Sequence, residues 1–292
     1  MEKLILFCLI IAIANVHARS QTEPARFIVI GAHPDDCDID AGATAVLLAS
    51  MGHAVKFVSV TNGDAGHQSM GGGILAKRRM EEAKESARRL GIAEYEVLDN
   101  HDGELTPNLN VRLQIIRKIR EWNADVVIAP RPNDYHPDHR YTGVLVQDAA
   151  YMVAVPNIAP DTPPLEKNPV FLYTHDHFQS PEPFRPDIAI GTDKAFSKKI
   201  DGLDAHVSQF YEWLPWIGGY LDEVPEGDQE RKKWLATLRP DTISPETRRS
   251  LEKWYGEKRA AVMTRAEVFQ ICEYGKQPTE KEIRELFPML RK

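Results

Sequence analysis

Cysteine is scarce in this chain, with only Cys8, Cys37 and Cys272. Thiols so few and so far apart form neither a disulfide framework nor a zinc-finger spacing, so the fold must stand on its apolar core. A basic excess is also missing. The formal net charge is -7, and the Lys and Arg residues between 77 and 89 are interleaved with Glu81, Glu82 and Glu85. A nucleic-acid footprint needs a face of one sign, so nucleic acid is not expected as a partner. The apolar run from Leu4 to Val16 falls short of the ~20 residues that span a bilayer. It follows Lys3 and closes with Val16-His17-Ala18, which reads as a signal peptide over 1–18. The expected product is secreted or periplasmic and keeps no stable membrane insertion once the signal is cleaved. Cys8 follows Phe7 inside the apolar run, without the small residues that precede a lipidated cysteine.

What is present is an ordinary globular composition, 42% hydrophobic and 27% charged. From Phe27 onward, β-rich runs alternate with amphipathic stretches. Strands are expected over 27–32, 55–61, 95–98, 126–130, 170–173 and 188–190. Helices are expected over 41–51, 74–90 and 111–122, with Gly52 and Gly91 as C-terminal caps. That alternation predicts an α/β fold with a Rossmann-like, open, mainly parallel sheet and helices on both faces. Residues 19–195 form its core. Beyond Lys194 the strand signal fades into charged, Pro-punctuated sequence, read as a helical C-terminal extension of the same domain over 196–292. In that stretch Trp213, Trp216, Tyr220, Leu235 and Trp254 offer a face to pack on the sheet.

Two segments carry chemistry: His33-Pro34-Asp35-Asp36 and Asp134-Tyr135-His136-Pro137-Asp138-His139. Each follows a predicted strand, so both are expected as loops at the carboxyl edge of the sheet, where open parallel sheets bind ligands. With the strand order 3-2-1-4-5, the first and fourth strands are neighbours, and His33, Asp36 and His139 come within reach of one ion. Two imidazoles, one carboxylate and an open position make up a catalytic zinc site, and Fe²⁺ accepts the same donors. The prolines stiffen both segments. A lone His after a strand is otherwise an ordinary polar loop residue. A calcium loop through Asp36, Asp38 and Asp40 is excluded, because Ala41 stands where such a loop needs Gly and Leu47 where it needs Glu. Asp138, between two histidines, reads either as an orienting carboxylate or as a loop cap.

These motifs resemble the LmbE-like, or PIG-L, family of metal-dependent N-acetylglucosaminyl deacetylases, whose motifs His-Pro-Asp-Asp and His-Pro-Asp-His both occur intact. The resemblance runs on through Arg79-Met80-Glu81-Glu82-Ala83, Leu90-Gly91 and Ala205-His206-Val207-Ser208-Gln209, covering roughly 27–210. It implies that His33, Asp36 and His139 bind zinc, that Asp35 is the general base, and that His136 acts as an acid or, protonated, as an oxyanion stabiliser. It also implies substrate contact by Arg79 and Asp102. Read from the residues alone, Arg79 beside Glu82 is more often a solvated ion pair, and Asp102-Gly103 more often only a turn. Cys37 departs from the family, which commonly has Glu there, and is expected to be a small buried residue.

The resemblance thus implies hydrolysis of an acetamide on a small-molecule or oligosaccharide substrate. Two other readings stay open: a zinc amidase or esterase acting on a non-sugar substrate, and a carbohydrate-binding protein with a structural metal. The second is motivated by the aromatic group Tyr211, Trp213, Trp216 and Tyr220.

Overall fold

A computed structural model describes residues 24–238 and 243–291. The segment 1–18, read as a signal peptide, lies outside the described residues. The first half builds as β1 (Arg26–Gly31), α1 (Asp36–Ser50), β2 (Ala54–Ser59), α2 (Gly72–Leu90), β3 (Glu94–Val97), α3 (Leu109–Glu121), β4 (Val126–Ala129), α4 (Pro137–Met152) and β5 (Val170–Tyr173). After β6 (Ile188–Gly191) come α5 (Phe196–Leu203), a π-helical turn (Ser208–Trp213) and α6 (Leu214–Gly218). They are followed by α7 (Asp228–Thr237), α8 (Pro245–Tyr255) and a last strand, β7 (Ala266–Gly275).

The sheet has the order β3-β2-β1-β4-β5-β7-β6, so the expected 3-2-1-4-5 arrangement is present. Its first five strands pair in parallel, with Phe27 of β1 opposite both Val55 of β2 and Val126 of β4. Side chains alternate across a strand, and β1 divides its own between the two faces. Phe27 and Val29 join a core with Ala41, Ala45 and Leu48 of α1, Ala83 and Leu90 of α2, and Leu251 and Trp254 of α8. Ile28 and Ile30 face the opposite way, onto Val111, Ile115, Ile116 and Ile119 of α3 and Leu145, Val146 and Ala149 of α4. Right-handed crossovers require this division. The chain winds outward through β1, β2 and β3 with α1 and α2 on one face, then crosses back through α3 to β4 and continues outward with α4 on the other. The winding reverses between β1 and β4, which leaves a crevice at their carboxyl ends.

Three features were not visible in the sequence pattern. Helix α1 begins at Asp36 rather than at 41, because its first turn carries acids instead of an apolar stripe; Asp36 and Asp38 suit the positive end of the helix dipole. Helix α4, headed by Pro137, occupies sequence expected as loop. Both chemistry-bearing segments are therefore strand-to-helix junctions, with Asp36 and His139 on first helical turns. The helical C-terminal region also contains β7, which pairs antiparallel with both β5 and β6. Its Val268, Phe269, Ile271 and Cys272 are a β-rich signal that the surrounding charge obscured. Glu267 of β7 reaches across to accept the backbone N–H groups of Ala43 (3.0 Å) and Thr44 (2.7 Å) in α1, and pairs with buried Lys199 at 2.9 Å. Among the described residues, no helix is long and apolar enough to cross a membrane.

Candidate metal centre

The crevice between β1 and β4 gathers three donor atoms onto one point. His33 Nδ1 lies 3.1 Å from His139 Nε2, His33 Nδ1 lies 3.5 Å from Asp36 Oδ2, and His139 Nε2 lies 3.4 Å from the same oxygen. Ligands bound at about 2.0–2.1 Å around a tetrahedral ion stand about 3.3–3.4 Å apart. The triangle matches that spacing on all three sides, so these residues fit a tetrahedral divalent ion with a fourth position open. His33, His136 and His139 also lie close enough to share an ion, as do His33, Asp102 and Asp138. The triangle through Asp36 is the one in which each imidazole has its other nitrogen on a carboxylate.

Those outer partners are specific. His33 Nε2 is 3.0 Å from Asp102 Oδ1 and 3.3 Å from Asp138 Oδ2, and His139 Nδ1 is 3.1 Å from Asp134 Oδ1. Carboxylates behind ligand imidazoles fix the tautomer and hold the ring in register. Asp138 is itself fully buried and accepts the backbone N–H groups of Gly103 (2.7 Å) and Leu105 (3.2 Å). It is therefore held in place behind His33. Asp134 was not singled out in the sequence. Its signal was its place two residues before His136, whose backbone N–H it accepts at 3.0 Å.

Asp36 and Asp35 are neighbours in different surroundings. Asp36 Oδ2 accepts the N–H groups of Ala32 (2.9 Å) and His33 (2.8 Å). Burial pushes its pKa up, but the charges of His139 and His33 outweigh that and hold it well below the ordinary carboxylate range. Asp35 stands outside the donor triangle, buried, with Oδ1 accepting Arg79 Nη2 at 2.9 Å. Burial raises its pKa, and the Arg79 charge only partly opposes the rise.

Arg79 is 1% exposed and also donates to the Gly63 carbonyl at 3.3 Å. It is therefore not the solvated partner of Glu82; that contact belongs to Arg78, at 3.1 Å. As placed, Arg79 props Asp35 from behind rather than facing open space. Asp102 is likewise more than a turn residue. Burial raises its pKa, while His33 and Arg79 more than reverse the shift.

His136 caps α4, its Nδ1 accepting the Asp138 N–H at 3.2 Å. In the neutral ring the proton then sits on Nε2. Burial, together with the charges of His33 and His139, lowers its pKa. A cavity of about 140 Å³ opens beside Asp36 and His139, bounded further by Asp40, Arg131, Tyr135 and Thr174. Cys37 is buried as expected, its thiol donating to the Val29 carbonyl at 3.4 Å.

Comparison with known proteins points the same way. Residues 28–150 match the family model described as PIG-L, GlcNAc-PI de-N-acetylase. A diacetylchitobiose deacetylase of Thermococcus kodakarensis is 32% identical over 208 residues, 66% of this chain and 74% of that protein. A 4-oxalmesaconate hydratase of Pseudomonas putida is 24% identical over 212 residues, 68% of this chain and 81% of that protein. Among solved structures, the N,N'-diacetylchitobiose deacetylase of Pyrococcus horikoshii superimposes with a TM-score of 0.64 at 27% identity, covering 86% of this chain and 84% of that one.

Proposed function

Since the chain belongs to the PIG-L family, we propose that it is an exported, zinc-dependent N-deacetylase that hydrolyses the acetamide of an N-acetylglucosamine-type sugar to acetate and a free amine. One observation carries the reading: a donor triangle of tetrahedral size with a buried carboxylate, Asp35, left outside it. A purely structural metal has no use for that spare base. The imidazole and carboxylate donors favour Zn²⁺, with Fe²⁺ the alternative that metal analysis distinguishes. Export is supported by the apolar N-terminal segment alone.

His33, Asp36 and His139 would hold a divalent ion, which would supply Lewis acidity toward water and the acetamide carbonyl. Asp35 takes the proton from the attacking water; its raised pKa makes it a stronger base than an ordinary carboxylate. His136 Nε2–H donates to the developing oxyanion while its Nδ1 stays fixed on α4. Asp35 then returns its proton to the departing amine.

Water addition to a polycarboxylate such as an oxalmesaconate is disfavoured by charge. Asp35, Asp36, Asp102, Asp134 and Asp138 crowd the site. The buried guanidinium groups of Arg79 and Arg131 are already committed to Asp35 and Asp176. A neutral acetamido sugar meets no such repulsion. Acetate release by the metal-loaded mature chain from a panel of N-acetylated mono- and oligosaccharides tests the reading. No release from any of them, alongside hydrolysis of a non-sugar amide or ester, moves the activity to that class.

A further inference from the structure

The cavity of about 140 Å³ beside the donor triangle is lined by Asp36 and His139 but not by His33. Its walls come from one side of the metal position: Ile39 from the first turn of α1, Pro130 after β4, Tyr135 just before α4, and Thr174 after β5. Asp102 lies on the other side, after β3, with Oδ1 3.0 Å from His33 Nε2. In the strand order β3-β2-β1-β4-β5, the donor triangle therefore stands between two unlike compartments. An amide held over the triangle must send its amine substituent into one and its acyl substituent into the other.

Size assigns them. A cavity of about 150 Å³ takes a benzene ring, whereas a pyranose with its hydroxyls has roughly twice as many heavy atoms and does not fit. The methyl of an acetyl group, at the other extreme, leaves most of the space empty. An unfilled void forfeits contacts along its lining, and these walls are held apart. Arg131 Nη2 donates to Asp176 Oδ1 at 2.7 Å, and the same guanidinium donates to the carbonyls of Glu182 (3.1 Å) and Phe178 (3.3 Å), pinning the segment after β5 to the end of β4. The charges of the walls are engaged with near neighbours: Asp176 with Arg131, Asp134 with His139, and Asp40 with the Thr174 hydroxyl. Ile39, Pro130 and Tyr135 are left to meet a neutral occupant. We propose that this cavity is the acyl pocket and that hydrolysis extends to N-propionyl and N-butyryl amino sugars. The inference rests on the deacetylase reading for the bond that is cleaved. Water adds to the acyl carbon, the C–N bond breaks, and the proton taken from water passes through Asp35 to the amine. The products are a free amino sugar and a short-chain carboxylic acid in place of acetic acid.

The test measures amine release by the zinc-loaded full chain from N-acetyl-, N-propionyl-, N-butyryl- and N-octanoylglucosamine. For the propionyl and butyryl sugars, kcat/KM is expected within about tenfold of the acetyl value, and for the octanoyl sugar, whose chain outruns the cavity, more than about a hundredfold below it. Ile39→Phe fills the cavity from α1 and is expected to lower the butyryl-to-acetyl ratio about tenfold with zinc retained. A steep loss that begins at propionyl, or a ratio that Ile39→Phe leaves unchanged, overturns the pocket while leaving the deacetylase reading intact. A second measurement needs neither turnover nor a variant. The metal-free full chain is titrated calorimetrically with N-acetyl- and N-butyrylglucosamine, where burial of two further methylenes should tighten binding about tenfold. Equal or weaker binding of the butyryl sugar overturns the pocket. No amine release from any of the four sugars sinks the deacetylase reading and, with it, the hydrolysis proposed for the longer acyl groups.

Discussion

Asp35 and Asp36 share a peptide bond, yet their surroundings push their acidities apart, one raised by burial and the other lowered between two imidazoles. Such a split fits the proposed division into a base and a ligand at adjacent residues. Asp35→Asn is expected to keep its metal by elemental analysis and to lose about 10²–10⁴-fold in kcat; His139→Ala should lose the metal itself. Arg79 opposes the rise in the Asp35 pKa, so Arg79→Met should move the acid limb of the pH–rate profile to higher pH. A profile that stays in place would show that Arg79 does not act through Asp35. Without an ion, burial lowers the His139 pKa, but Asp36 and Asp134 outweigh it and raise the ring to about 9. A metal must displace that proton, so zinc addition at pH 7 should release protons to an indicator dye, and metal affinity should climb with pH up to about 9. The ligand trio and Asp35 were legible because two short motifs fell after predicted strands. Asp138 was read between its two histidines as an orienting carboxylate or a loop cap, but its contacts with His33, Gly103 and Leu105 on other elements, the place of Asp134 behind His139 and the inward turn of Arg79 were not legible.

Elements bring these residues together by close approach. A Cβ on Gly143 of α4 would stand 2.7 Å from the Arg131 carbonyl carbon and 2.8 Å from Pro130 O and Pro132 N. That backbone cannot yield as a flexible side chain would, so Gly143→Ala should push α4, and His139 with it, away from β4. The expected cost is about 1–3 kcal/mol in unfolding free energy together with weaker metal binding, both measurable by denaturant titration with and without zinc. Behind the site, α1, α2 and the end of α5 meet in a buried trio, where His206 Nε2 lies 3.1 Å from Asp38 Oδ2 and Ser86 donates to the same carboxylate. Burial lowers the His206 pKa, yet Asp38 more than compensates and holds it above the ordinary value. A raised His pKa gives stability that is complete below about 6.5 and lost as pH rises through the folded value. Unfolding free energy should therefore decline above neutrality, and His206→Ala should remove that slope at a cost of about 3–5 kcal/mol, since the buried Asp38 charge keeps only the Ser86 hydroxyl. A flat pH dependence in the wild type would rule out a charged His206.

Across the whole molecule, the parallel half of the sheet was readable because each strand and its crossover helix are local in sequence, and the right-handed rule fixes their order. The antiparallel end was not. Strand β7 is separated from its partner β6 by α5 through α8, and it takes its place only through pairing with β5 and β6. Its Glu267 also secures the middle of α1, the helix that carries Asp36. A chain ending at residue 264 should therefore lose cooperative unfolding and metal binding together, as followed by circular dichroism and zinc titration.

The late arrival of β7 sets a schedule for biosynthesis. On a translating ribosome, β5 and β6 emerge with open edges and wait for their shared neighbour; at ordinary elongation speeds that delay is on the order of ten seconds. Throughout it the nascent polypeptide cannot complete its sheet and offers two templates for mispairing.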